Sequence, residues 1–421
     1  MKNSVFLNRS CLLTLPYALL FKMLSVLRLD YQILVVLMPK FLAGLFTAVS
    51  DYSLYILVKM KNGSYTASWF LLLSQTNWFL LYSGSRTLVN TTETSLLSIG
   101  LLLYPRNSYL LVVALSVMVR PTIVIVWIPL ILVHVWRILN QHGIVSLMVK
   151  IPLPSFVIAL TVLTDSIFYG KFTVTPYNFF MVNVVHNLGS FYGTNPVYWY
   201  LTNALVPILG PLLPVSMISM VSRRYNNLLW PVWTSLIFLS MLEHKEMRFI
   251  QPVVPLLLYA ASLQLYTWYR SAPSSTWLVM STIINIPLAL YLSLVHQRGV
   301  TDVAMWLGHQ PNITSAMYLM PCHSAPMYSH THRDDIQLGY LTCLPNLKLS
   351  EDYIEEAEIF YSNPAKVLVN NFNSFQCLIM FDSLSDMNEK IFSSKYKLIQ
   401  SIFHSHVSSG RVGKSILIYC K

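Results

Sequence analysis

Apolar runs of membrane-spanning length, separated by short polar junctions, fill the first 295 residues of the chain. A bilayer core asks for roughly 20 apolar residues per helix. The pattern predicts helices near 34–58, 66–83, 88–104, 108–119, 121–136, 151–168, 203–222, 228–242, 247–266 and 275–295, about 8–10 in all once short neighbours are merged. Residues 11–21 (CLLTLPYALLF) have the length of a signal-peptide core, but Pro16 interrupts them and their flanks are weak. Beyond residue 296 the pattern changes. Short strand-like pieces (AMYLMP, CLIMF, SILIYC) predict a small mixed α/β domain over 296–421, after a transmembrane domain over 34–295.

Composition agrees with lipid as the solvent. The chain is 55% hydrophobic and 11% charged, against roughly 25% charged in a soluble domain. Its net charge of +11 does not mark a nucleic-acid binder, because the basic residues stand in ones and twos between apolar runs and form no stripe. Topology accounts for them better. One alternate set of junctions holds Lys59, Lys61, Arg106, Arg137, Lys150, Arg223, Arg224 and Arg270 with no acidic neighbour, which predicts the cytosolic side. The other holds Arg86, Glu93, Arg120, Asp165, Lys171, Glu243, His244, Lys245, Glu246 and Arg248. Of the six acidic residues before residue 300 (Asp30, Asp51, Glu93, Asp165, Glu243 and Glu246), all but Asp51 fall on or just before this second face. Acidic residues contribute little to topology, and ionisable groups at membrane depth are costly and functional. The second face is therefore the expected site, and parity places the C-terminal domain on the same, lumenal, side.

Four of the five cysteines lie beyond residue 320, and none has zinc-ligand spacing, so no metal is expected. In an oxidising lumen Cys322 and Cys343 are a candidate disulfide. The sequon at Asn312 is a candidate glycosylation site; Asn90-Thr-Thr falls on the lumenal side and Asn62-Gly-Ser on the cytosolic side.

The densest polar cluster is Glu243-His244-Lys245-Glu246-Met247-Arg248-Phe249, between two apolar spans. It reads either as a solvated turn or as a phosphate site built on Arg248 and Lys245, with Glu246 or His244 orienting hydroxyls. Arg86, Asn90 and Glu93 are spaced to share a helical face, either as an internal Arg–Glu pair or as substrate contacts. Arg120 before Pro121 reads as a snorkelling anchor or a phosphate ligand. Asp165 is the acidic residue near the end of its span. The aromatic segment 166–202 reads as an interfacial belt, a lid over a lipid or sugar pocket, or both. There is no Walker A loop, G-x-S-x-G or H-E-x-x-H.

HKEMRF at 244–249 resembles the signature of the dolichyl-phosphate-mannose-dependent mannosyltransferases of glycosyltransferase family 22. SRTLVNTTET at 85–94, NLGSFYGTNPVYWY at 187–200, HQRG at 296–299, MPCHSAPMYSHTH at 320–332 and LTCLPNL at 341–347 resemble the branch that acts in glycosylphosphatidylinositol (GPI) assembly. The resemblance implies a GT-C fold in the endoplasmic reticulum membrane. It implies transfer of a third mannose, α1,2-linked, from dolichyl-phosphate mannose to the GPI precursor, with inversion at the sugar and no other cofactor. It adds His296 and Arg298 to the substrate-binding candidates, beside Arg86, Asn90, Glu93, Arg120, His244, Lys245, Glu246 and Arg248. The family carries an acidic motif ending in Asp-Glu in its first lumenal loop. Here no acidic residue precedes Asp30, so residues 1–33 are expected to be the later part of that loop and the chain to be truncated and catalytically impaired. The catalytic residue is then unknown, with Glu246 and Asp165 as candidates. Another family 22 mannosyltransferase of lipid-linked oligosaccharide assembly, a lipid transporter and a non-catalytic remnant are the alternatives. Against transport, the sequence shows no inverted repeat and no matched pair of broken spans.

Overall fold

The computed structural model describes residues 9–223, 226–271, 283–343, 353–364, 374–384 and 395–421. Arg224, residues 344–347 of the LTCLPNL motif and residues 275–282 of the last candidate span lie outside them. The chain divides into two compact units, residues 1–23 with 38–289, and residues 24–37 with 290–421. Beside the sequence-based boundaries at 33 and 295, the C-terminal unit also takes in residues 24–37, and the division falls inside the helix Asn285–Leu294, after Ala289.

The first unit is helical throughout: α1 (Leu15–Val26), α2 (Gln32–Thr76), α3 (Trp78–Gly84), α4 (Val89–Leu103), α5 (Tyr109–Val119), α6 (Val124–Lys150), α7 (Pro152–Tyr169), α8 (Thr175–Phe180), α9 (Leu205–Leu209), α10 (Leu212–Ser222), α11 (Trp230–Met241) and α12 (Val254–Ser271). Most of α2 belongs to this unit, its first residues to the other. Among the described residues three stretches, Gln32–Thr76, Pro121–Tyr169 and Met247–Arg270, are long and apolar enough to cross a membrane, with a fourth if Tyr200–Leu209 and Leu212–Ser222, bent by 111°, count as one broken span.

The expected spans 34–58 and 66–83 follow one another within α2, and Gly63, whose φ of +85° breaks the helix just after Lys59 and Lys61, separates them. Gly143, at φ +72°, breaks α6 in the same way. Only glycine takes these values without steric cost. At Asn77 the side-chain Oδ1 accepts from Leu80 N at 3.1 Å and starts α3, ending the expected second span early.

Lipid is legible on the outer faces. Leu153, Phe156, Leu160, Leu163 and Ile167 of α7 are all exposed, a stripe that a water-soluble fold would bury. Inside, packing relies on small residues, as expected where lipid removes the hydrophobic drive between helices. Gly100 of α4 lies under Trp127, and a Cβ there would sit 2.6 Å from the indole ring. Thr91, Thr94, Ser95 and Ser98 turn their hydroxyls onto backbone carbonyls, so this polar helix presents few free donors.

The second unit contains the last residues (290–294) of α13 (Asn285–Leu294), α14 (Gly299–Gly308) and a five-stranded mixed sheet of order β2-β1-β3-β5-β4. Strand β1 (Ser315–Tyr318) pairs in parallel with β2 (Gln337–Tyr340) and β3 (Cys377–Phe381). Strand β5 (Ser415–Cys420) runs antiparallel to β3 and to β4 (Lys397–Phe403). The three strand-like pieces read from the sequence are β1, β3 and β5; β2 and β4, with more polar positions, were not anticipated. Cys322 is bonded to Cys343, and a second disulfide joins Cys377 to Cys420, which face each other across β3 and β5. Asn312 is exposed in a turn before β1.

Candidate functional site

The polar cluster at 243–249 is a folded clasp rather than a solvated turn. Helix α11 ends at Met241, the chain extends through Glu246, and a tight turn over Met247–Val253 leads into α12. Glu246 is the hub. Its Oε2 lies 2.6 Å from Arg248 Nε, and its Oε1 lies 2.8 Å from the second guanidinium nitrogen and 3.1 Å from His244 Nε2. A fork of this kind fixes the plane of both groups. Burial alone would push the Glu246 carboxyl up; the hydrogen bonds from Arg248 and His244 outweigh it and hold the group below its ordinary value.

The NLGSFYGTNPVYWY segment closes over this loop. Asn187 Nδ2 donates to Glu243 Oε2 at 2.7 Å, His244 Nδ1 is 3.0 Å from Gly193 O, and Asn195 N donates to Glu243 O at 3.0 Å. Lys245 is buried, and its ammonium donates to Asn195 O at 2.8 Å and to Leu242 O. Its pKa is lowered by burial, against the opposing pull of Glu243. The two segments therefore lock each other, and the expectation of a phosphate ligand at Lys245 is corrected: its charge is spent inside the clasp. Residues 187–200, read as belt or lid, form the clasp's other half.

Phe249 joins this loop to the ends of α4, α5 and α6. Its ring lies 5.8 Å from that of His244, with the Arg248 and Arg120 guanidinium carbons 5.9 Å and 5.0 Å from its centroid. Arg120, on extended backbone between α5 and Pro121, places Nε 3.4 Å from Glu93 Oε2 and 2.9 Å from Thr122 Oγ1. Glu93 is 3% exposed and also accepts from Asn90 Nδ2 at 3.2 Å. The predicted Arg86–Glu93 pair is therefore replaced by Arg120–Glu93. Arg86 is exposed and stacks on Tyr82 with its guanidinium carbon 3.9 Å from the ring centroid. Asn90 is fully buried, which leaves no room for a glycan at that sequon.

Two sets of candidates do not join this cluster. Asp165 is fully buried and accepts from Ser10 Oγ, Cys11 N and Thr175 Oγ1, each at 2.9 Å, so it ties the N-terminal segment to α7 and α8 rather than facing a substrate. His296 and Arg298 belong to the second unit, where Ser405 Oγ is 3.2 Å from His296 Nδ1 and Arg298 Nε is 2.6 Å from Asp302 Oδ2. Among the described residues, Cys322, His323 and Cys343 gather potential metal-ligating atoms, but the two sulfurs are bonded to each other and supply no thiolate.

The open side of the cluster carries Arg248, His244 and Glu246, with side-chain exposures of 44%, 19% and 32%. With Nε and one terminal nitrogen held by Glu246, the guanidinium keeps its remaining N–H groups for an oxyanion of phosphate type. Because Glu246 titrates below its ordinary value, its contribution to stability is present above the unfolded carboxylate range, roughly pH 4.3, and is lost only as pH falls through the lowered value. The difference in melting temperature between the wild type and Glu246→Gln is expected to stay constant from neutral pH to about 5 and to shrink only below that. Melting in detergent across a pH series measures it.

The model of the Alg9-like mannosyltransferase family matches residues 3–332. GPI alpha-1,2-mannosyltransferase 3 of Danio rerio is 36% identical over 97% of this chain and 79% of its own length. The Homo sapiens protein of the same name is 36% identical over 98% and 77%, and GPI mannosyltransferase 3 of Drosophila melanogaster 34% over 95% and 75%. Among solved structures, ArnT from Cupriavidus metallidurans bound to undecaprenyl phosphate superposes with a TM-score of 0.52 at 12% identity, over 91% of this chain and 83% of that one. At such identity the likeness is one of fold, the helical membrane architecture of the GT-C type.

Proposed function

The chain belongs to the Alg9-like mannosyltransferase family, and from that membership we propose that it transfers an α1,2-linked mannose from dolichyl-phosphate mannose to a GPI precursor at the lumenal face of the endoplasmic reticulum membrane. The observation that carries the reading is the clasp of 187–200 on 243–249, which leaves Arg248, held through two nitrogens by Glu246, 44% exposed beside His244.

In the proposed reaction an acceptor hydroxyl oxygen bonds to the mannose C1 as the bond from C1 to the phosphate oxygen breaks, and the hydroxyl proton passes to a base. Negative charge grows on the departing phosphate, and a preorganised cation aimed there is worth most in a water-poor site. Arg248 is that cation. Glu246 holds it in plane; acidified by Arg248 and His244, this carboxylate is a poor proton acceptor. Phe249 and the Glu93–Arg120 pair position the loop from below. The apolar groove lined by Cys11, Leu15, Ala18, Ile167 and Phe168 suits the chain of a polyprenyl lipid.

Complementation tests the proposal. The chain, alone and carrying the N-terminal segment of the human relative, is expressed in cells that lack the enzyme for the third GPI mannose. Return of GPI-anchored proteins to the cell surface is expected from at least one form. Their absence with both forms, each present in the membrane, would contradict the assignment.

A further inference from the structure

Asp51 is a buried acidic residue outside the functional cluster. It sits in α2, is 7% exposed, and accepts from Ser74 Oγ at 2.7 Å and Gln75 Nε2 at 2.5 Å. Both partners are neutral, and no ion pair to Asp51 occurs among the described residues. An ionised carboxylate offers about four lone-pair sites, so two remain. A buried charge without a counter-charge is costly.

Asp51 lines a small cavity in the first unit, about 10 Å³, together with Thr47, Ser50, Thr91, Thr94 and Gln251. Gln251 is 2% exposed, and its Oε1 has no hydrogen-bond partner. Its amide orientation is set from the other end: Thr91 Oγ1 spends its proton on Ser83 O at 3.2 Å and can only accept from Gln251 Nε2, at 3.4 Å. The carbonyl oxygen is then left to the cavity.

The remaining hydroxyls have no proton to offer either. Thr47 donates to Gly84 O at 2.8 Å and Thr94 to Asn90 O at 2.7 Å. Ser98 donates to Thr94 O, so in the 2.7 Å Ser50–Ser98 contact Ser50 must be the donor. Beside the apolar Leu80, Gly84 and Pro255, the polar side chains of the cavity therefore offer acceptors: the Asp51 carboxylate, the Gln251 carbonyl and the lone pairs of Thr47, Ser50 and Thr94. A water molecule could donate to two of them, and its own lone pairs would face the rest. A bare hard cation satisfies all of them and neutralises Asp51.

We propose that this cavity is a binding site for one sodium ion, held by Asp51, Gln251 and the Thr47, Ser50 and Thr94 hydroxyl oxygens. The ion braces Gln251, and through Gln251 the turn that follows the 244–249 loop. The inference rests on the donor and acceptor count and stands apart from the assigned reaction.

The test uses the full chain purified in detergent, melted in NaCl, KCl or choline chloride at equal ionic strength. Sodium is expected to raise the melting temperature by about 3 °C or more over choline, saturably. Asp51→Asn is expected to abolish the sodium response, and Gln251→Leu to move it to higher sodium concentration. If Asp51→Asn does not fold, Gln251→Leu and Thr94→Val carry the test alone. Equal melting in all three salts, or a sodium response unchanged in these variants, would overturn the site. So would a more stable Asp51→Asn in a protein indifferent to sodium, because that result identifies a proton as the occupant.

Discussion

Glu93→Leu is expected to destabilise the protein by about 3–5 kcal/mol, the cost of stripping one partner from a buried ion pair. Glu93 and Arg120 are 3% and 12% exposed, and among the described residues no second carboxylate pairs with Arg120. Without Glu93 its guanidinium would keep only Thr122 and the ring of Phe249. Asn90, with one side-chain oxygen already unpaired, would lose its acceptor as well. Arg120→Leu is expected to cost a similar amount. The double variant Glu93→Leu with Arg120→Leu should recover the greater part, because replacing both charges by apolar groups removes the desolvation cost together with the attraction. Fluorescence-detected melting of the detergent-solubilised single and double variants measures the cycle. Additive losses would show that the pair is not the unit described here.

Arg248→Ala is expected to leave folding nearly intact and to lower mannose transfer about 100- to 1,000-fold, the usual range for removing one oriented charge-stabilising group. The folding part follows from exposure: Arg248 is 44% exposed, and pairs of that kind contribute roughly 0–1 kcal/mol. The catalytic part follows from its place at the open edge of the clasp. Arg248→Lys should restore only a fraction, since an ammonium cannot reproduce the fork that meets Glu246 through two nitrogens. Initial rates from membranes containing matched amounts of each variant decide the matter.

The two loops of the site were readable as motifs, and their contact was not. HKEMRF stands out because charge is scarce in an apolar chain, and NLGSFYG through its resemblance to the family, yet nothing in either says that Asn187 reaches Glu243 or that Asn195 receives Lys245. Glu93 shows the same limit. Helical spacing offered Arg86 as its neighbour, whereas the partner, Arg120, comes from the junction after another helix. Local periodicity sees one element at a time, and buried ion pairs are made between elements. Two span limits were legible, since the polar runs 59–64 and 137–143 carry the helix breaks at Gly63 and Gly143; the early end of the second span at Asn77 was not, because it depends on a side-chain cap. In the C-terminal unit the apolar strands β1, β3 and β5 were legible, but the Cys377–Cys420 bond depends on the register of β3 against β5, which cysteine spacing cannot supply.

The most direct measurement of the central claim is mannose transfer itself. Membranes of cells lacking the third GPI mannosyltransferase, expressing the chain with the N-terminal segment of the human relative, would be supplied with labelled dolichyl-phosphate mannose and the GPI precursors extracted. The account predicts a precursor one mannose larger, with the new sugar removable by an α1,2-mannosidase, and a loss of that product in Arg248→Ala. A precursor of unchanged size, or one whose enlargement is indifferent to Arg248, would contradict it.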